Sequence, residues 1–103
     1  MSSQNRTNIP NSLNEHWMPF SDNRNFKKNP RLIIDAKGVY LTNHEGKKMI
    51  DASSGLFCNP LGHGRREITE AVTKQLDKLD YCQPFNQGFG GSFELATRIA
   101  KKT

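Results

Sequence analysis

At 103 residues the chain has room for one small domain and not for two. Its apolar fraction is 34%, below the roughly 45–50% of ordinary domains counted with glycine, so it builds a small core or expects a partner surface. Fifteen Lys and Arg against ten Asp and Glu leave a net charge of +5, yet no run of five or more like charges occurs. A nucleic-acid role would rest on that charge alone, and an ordinary solvated surface is the simpler reading.

Two cysteines, Cys58 and Cys82, have neither a Cys-x-x-Cys nor a His-x-x-x-His neighbourhood, so no metal site is expected. With no secretory signal and no apolar run near 18 residues, the expected setting is the reducing cytoplasm, and no membrane partner is expected. Both cysteines are then expected as free, buried or half-buried thiols. His16, His44 and His63 are dispersed along the chain.

In chain order, residues 1–12 are polar apart from Ile9 and are expected to be a mobile N-terminus. Leu13, Trp17, Met18 and Phe20 then crowd into eight residues, and the 13, 17 spacing predicts one helical turn stopped by Pro19. That much apolar surface needs a groove, either to stabilise a terminus or to line a site. Ser21 to Pro30 reads as a polar connector anchored by Phe26. Arg31–Ala36, Val39–Thr42 and Lys47–Asp51 read as three strands of an antiparallel meander, separated by turns at Lys37-Gly38 and Asn43–Gly46. No chemistry is expected within this meander, because neither carboxylates nor histidines converge in it.

The stretch from Asp51 to Ile68 ends the strand pattern and opens a helix. It holds Gly55, Gly62, Gly64, Pro60, Ser53 and Ser54, and among them the bulky Leu56-Phe57 pair and the ionisable His63. A loop with that much apolar surface either covers a site or plugs a core from the side. Next, Ile68, Ala71, Val72, Leu76 and Leu79 form one apolar stripe on a helix over Arg65–Leu79, read as core packing, with Glu70 and Lys74 placed to pair. Asp80 to Gly91 breaks that helix and carries Tyr81, Phe85 and Phe89. Its Gly88-Phe-Gly-Gly91 lacks the dinucleotide spacing and a preceding strand, which speaks against a nucleotide loop. Ser92 is placed to cap a last helix from Phe93 to Lys102.

His16-Trp-Met-Pro-Phe20, Gly38-Val-Tyr-Leu, Glu45-Gly-Lys-Lys-Met-Ile-Asp51, Ser54-Gly-Leu-Phe57, Gly62-His-Gly-Arg-Arg-Glu-Ile68 and Phe93-Glu-Leu-Ala96 stand in the order and register of a known family. From about Asn14 to the end the chain resembles the beginning of a class III pyridoxal-phosphate aminotransferase. Within that family it most resembles the branch that moves an amino group from β-alanine or another ω-amino acid to pyruvate.

The resemblance implies a fold in the α/β class, locally α+β. It comprises a mobile stretch (1–12), an N-terminal segment and part of a small domain (13–91), and a first helix (92–103) leading to a large cofactor domain outside the chain. It implies a homodimer or higher homo-oligomer, an amine donor, a 2-oxo acid acceptor, and pyridoxal 5′-phosphate held by residues outside this chain; no residue here is carried over as catalytic or cofactor-binding. What is carried over is a substrate-pocket wall. Phe57 stands where many relatives have Trp, with Leu56 beside it. Phe20 and Phe85 match aromatic positions of the pocket or its entrance, Phe85 reaching toward the partner subunit's site. Phe in place of Trp leaves more room and removes an indole N–H. Cys82-Gln-Pro84 departs from the small residues expected before Phe85. The competing reading is a catalytically inert interaction module that binds a full-length subunit.

Overall fold

The computed structural model describes residues 9–103; the expected mobility of residues 1–8 lies outside the described residues. Two compact units are present, one ending at Arg65 and one spanning Arg66–Thr103.

The first unit is built on turns that the sequence writes into three strands. β1 (Ile33–Lys37), β2 (Tyr40–Asn43) and β3 (Lys48–Ile50) form an antiparallel sheet in the order β1-β2-β3. The expected meander is present, with each strand shifted by a residue or two at its ends. Lys37 pairs with Tyr40 across a two-residue loop that opens on Gly38 at φ +59°, the left-handed conformation a tight hairpin requires. The β2–β3 loop turns on Gly46 at φ +82° and is tied by Asn43. The Asn43 Oδ1 accepts the Lys47 N–H at 2.8 Å and the Glu45 N–H at 3.1 Å. Asn43 and His44 are buried there, and the His44 N–H donates to Leu32 O at 2.8 Å beside the irregular β1 register between Ile33 and Asp35.

Two expectations ahead of the sheet are corrected. Leu13 to Trp17 makes no helical turn. The Asn11 and Ser12 side chains accept the Leu13 and Asn14 N–H groups at 2.8 and 3.4 Å, and Leu13 takes φ +64°. Short polar side chains thus supply an alternative to helical hydrogen bonds. The span read as a connector instead holds a helix, α1 (Asn23–Lys28). Asp22 caps it, its Oδ1 accepting the Asn25 N–H at 3.1 Å, and Lys27 and Lys28 lie in its last turn, where the helix dipole favours cations. The buried Asn23 fastens the preceding loop: its Oδ1 accepts the Met18 N–H at 2.7 Å, and its Nδ2 donates to Met18 O at 2.9 Å and Ser21 O at 3.2 Å. Trp17 stays exposed, with Lys27 Nζ 6.0 Å from its ring centre.

The chain continues through a single turn, α2 (Ser54–Phe57), into the second unit with α3 (Arg66–Lys78) and α4 (Gly90–Ala100). The stripe on α3 is regular but is not a core: Ile68, Val72 and Leu76 are exposed. One amphipathic helix buries its stripe only against an opposing surface, and α3 and α4 do not pack on each other. Glu70 pairs with Arg66 at 2.9 Å rather than with Lys74. Helix α4 starts two residues before the expected cap, with Phe89 in the N-cap position and making no side-chain cap bond. A Cβ at Gly91 would collide with the Phe89 ring, so that glycine gives the ring its place over the helix start. Among the described residues no apolar side chain is buried, and no helix is long and apolar enough to cross a membrane.

Asn23 makes three hydrogen bonds from a buried position, so Asn23→Ala should cost about 1–3 kcal/mol of local stability, the penalty for stranding buried polar partners. Faster amide exchange at Met18, with the β2–β3 amides unchanged, is the expected readout.

Candidate functional site

Where β3 ends, Asp51 is fixed to the sheet by its N–H, which donates to Val39 O at 2.8 Å. Twelve residues later the chain comes back to the same place. Gly62 at φ +87° and Gly64 at φ +71° flank His63, whose backbone exchanges two hydrogen bonds with Gly38: Gly38 N–H to His63 O at 2.9 Å and His63 N–H to Gly38 O at 2.8 Å. A Cβ on Gly62 would stand 3.2 Å from Gly38 O, so this approach needs glycine twice over, for its φ and for its lack of a side chain.

That return brings three side chains into line. His63 Nε2 lies 2.8 Å from Asp51 Oδ2, and Asn59 Nδ2 lies 2.7 Å from His63 Nδ1. An amide nitrogen only donates, so Nδ1 is the acceptor; the imidazole proton then sits on Nε2 and is donated to Asp51. The other carboxylate oxygen, Oδ1, accepts the Ser53 hydroxyl and the Gly55 N–H, both at 3.2 Å. The Asp51 side chain is 7% exposed and that of His63 23%. The His63 hydrogen bond, and after it the Gly55 amide, hold the Asp51 carboxyl below its ordinary range. The expectation that no carboxylate and histidine converge at the meander is corrected here: Asp51 at its end meets a histidine delivered by the following loop.

The turn that Asp51 holds has an unusual backbone. Ser54, Gly55, Leu56 and Phe57 have φ of +51°, +58°, +57° and +66°, four left-handed residues in succession, three of them with side chains. Each non-glycine residue in that region costs roughly 1–2 kcal/mol. Against this stand the Phe57 N–H to Ser53 O and Asn59 N–H to Ser54 O bonds, both 2.9 Å, together with the Asp51 contact to Gly55. The result is outward display: Leu56 is 74% and Phe57 84% exposed, so within this chain they plug no core.

Chemically the cluster is an anchor and not a reaction centre. Both His63 ring nitrogens are occupied, by Asp51 and by Asn59, so the imidazole faces no nucleophile it could activate. The thiol of Cys58, expected to be at least half-buried, is exposed because the turn points it outward, and its sulfur lies 3.5 Å from Leu56 O. Cys82 is half-buried and also free. No group of His, Cys, Asp and Glu among the described residues is arranged to hold a metal.

Of the residues singled out from the sequence, Leu56 and Phe57 share this one turn. Phe20, at φ +52°, is exposed and borders a separate shallow cleft with Phe26, Asn25 and Arg31. Phe85 is exposed in the loop between α3 and α4 of the second unit. Sequence reasoning missed Asp51, Asn59 and His63 as a group; the available signal was a histidine between two glycines, downstream of an aspartate that closes a strand.

Residues 22–101 match the family model for class-III aminotransferases, and the chain belongs to that family. It is 52% identical over 89 residues to the β-alanine–pyruvate aminotransferase of Pseudomonas aeruginosa, covering 86% of this chain and 20% of that protein. It is 48% identical over 91 residues to the ω-amino acid–pyruvate aminotransferase of Pseudomonas putida, covering 88% and 20%. Among solved structures, an (S)-enantioselective ω-transaminase from Thermomicrobium roseum matches with a TM-score of 0.78 at 30% identity, over 84% of this chain and 20% of that one. The chain thus spans about a fifth of the length of the curated relatives it matches.

The family's cofactor, pyridoxal 5′-phosphate, requires a lysine amine sheltered beside its binding groups. The described residues do not fit it: Lys27 is half-buried and every other described lysine is exposed, and the only carboxylate held well out of solvent by a basic partner is Asp51, whose partner is His63.

Because Asp51 has a lowered pKa in the folded state, its contribution to stability is complete above the ordinary value of 3.8 and is lost as pH falls through the lower folded value. Amide protection at Gly55 should therefore hold from neutrality down to about pH 4 and decline below it. Hydrogen exchange followed across that range checks the sign.

Proposed function

We propose that this chain is part of a pyridoxal-phosphate-dependent transaminase that moves an amino group from an ω-amino acid such as β-alanine to pyruvate, and that it supplies substrate-pocket wall and dimer contacts. The observation that carries the reading is the displayed Leu56-Phe57 pair on its left-handed turn, in a chain 52% identical to a β-alanine–pyruvate aminotransferase. A relative named putrescine–pyruvate aminotransferase, from Pseudomonas aeruginosa, stands at 39% identity, which supports the ω-amino acid over the diamine as donor.

In this reading the chain does no bond-making. Leu56 and Phe57 form an apolar wall that orients a short aliphatic donor and keeps water from it, and Phe20 and Phe85 line the pocket or its entrance, Phe85 toward the partner subunit's site. Residues outside this chain hold the cofactor, and the working enzyme is a cytoplasmic homodimer or higher homo-oligomer. The exposed stripes on α3 and α4 support such packing, since bare apolar faces of this size favour a covering surface. The same exposure favours one rival, an inert module that docks on a full-length subunit.

Assay of the full-length polypeptide with β-alanine and pyruvate separates the two: formation of alanine is the expected result, and no turnover with any ω-amino donor would sink the enzyme reading. The 103-residue chain alone should show none. Within the enzyme, Phe57→Trp should lower kcat/KM for donors bulkier than β-alanine by about tenfold and leave β-alanine less affected, the size of effect that a changed apolar pocket wall gives.

A further inference from the structure

The left-handed turn poses a question that its backbone bonds do not answer. The Phe57 N–H to Ser53 O and Asn59 N–H to Ser54 O bonds close the turn from outside, but the amide in its interior, that of Gly55, is taken by a side chain, the Asp51 carboxylate. A free aspartate at a strand end has several rotamers, and the one adopted here places Oδ1 against the Gly55 N–H. In this structure that rotamer is selected from the other oxygen: the His63 N–H fixes Oδ2, and Asn59 fixes the imidazole. His63 is itself held by the paired backbone bonds to Gly38. The sheet, the histidine, the carboxylate and the turn therefore form one continuous chain of hydrogen bonds that ends on the amide of Gly55, the residue next to Leu56 and Phe57.

We propose that Asp51, His63 and Asn59 are positioning residues for amine-donor selection, a latch that sets the angle of the Leu56-Phe57 wall by fixing the Gly55 amide. The proposal rests on the function proposed above for its selection half; the latch itself rests only on the geometry.

The chemistry of the line gives the test. Asp51→Leu keeps the branched shape but removes both acceptors, so the Gly55 amide and the Nε2–H of His63 lose their partner together. Asp51→Asn keeps the line with its bonds reversed: with the Asn59 amide turned over, its Oδ1 accepts from Nδ1–H, Nε2 accepts from the amide at 51, and the oxygen at 51 still accepts from Gly55. A role in mere bulk would survive leucine, and a role in charge would be lost with asparagine; the latch is lost with leucine and kept with asparagine.

In the full-length protein, Asp51→Leu should speed amide exchange at Gly55 by about tenfold, the worth of one hydrogen bond to a charged group. It should also shift the ratio of kcat/KM for β-alanine over putrescine, with pyruvate as acceptor, and Asp51→Asn should keep both values within about twofold of the parent. Unchanged exchange and unchanged ratio in the leucine variant, or a folded asparagine variant that behaves like the leucine one, would overturn the latch. Should Asp51→Leu fail to fold, His63→Gln and His63→Ala read the same bond: the glutamine keeps a donor toward Asp51 and should stay near the parent, whereas alanine should not, and equal effects of the two would overturn the proposal. The two readings fail separately. A parent that turns over no donor, with Gly55 exchange responding as expected, removes the transaminase and leaves the latch; a transaminase whose exchange and ratio ignore these substitutions does the reverse.

Discussion

The hydrogen bond from His63 to Asp51 is the constraint on which the first unit depends. It joins residues twelve apart and so closes the loop that carries every feature of interest between them. Closing such a loop costs chain entropy that grows only slowly with its length, and here several bonds share the cost: the paired Gly38 and His63 backbone bonds, the Asn59 contact, and the donors on Asp51 Oδ1. Because the carboxylate lies mostly out of solvent, each of those bonds matters more than it would on an open surface. Remove the histidine from its place and the carboxylate has no reason to hold the turn.

The described residues are organised by polar turns more than by an apolar core. Asn23, Asn43 and His44 are the buried residues, and two of them act as pins that satisfy backbone groups in loops: Asn23 for the 18–21 segment, Asn43 for the β2–β3 connection. Large apolar side chains lie open on the sheet, on the left-handed turn and on both long helices. That distribution inverts the usual one and makes apolar surface the feature of this chain most available to other surfaces. The left-handed turn is the sharpest instance, since it holds strained backbone to keep an aromatic ring outside.

Much of the architecture was legible locally. β-branched and aromatic residues between glycine turns marked the meander, and a 3.6-residue apolar period marked α3 to within a residue at each end. Six short motifs in register marked the family. Local reading erred where two local preferences competed. Leu13 to Trp17 has helical spacing, but Asn11 and Ser12 capture the amides that a helix would need. The polar run after Ser21 looked like a connector because α1 has almost no apolar face; its helix comes from the Asp22 cap and from Asn23. At α4 a serine in cap position lost to an earlier start at Gly90, with Gly91 leaving room for the Phe89 ring.

What the sequence determined by itself, then, was everything set by neighbours a few residues apart: turn positions from glycines, strands and helices from periodicity, and family from motifs in fixed order. What only the tertiary structure decided was which groups meet. Nothing in the spacing of Asp51, Asn59 and His63 marks them as a line of hydrogen bonds, because their meeting depends on Gly62 and Gly64 reversing the chain against Gly38 on the sheet. Nor does the order Ser-Gly-Leu-Phe announce four left-handed residues, since a left-handed backbone is disfavoured for three of those four and persists only where contacts from outside the turn hold it.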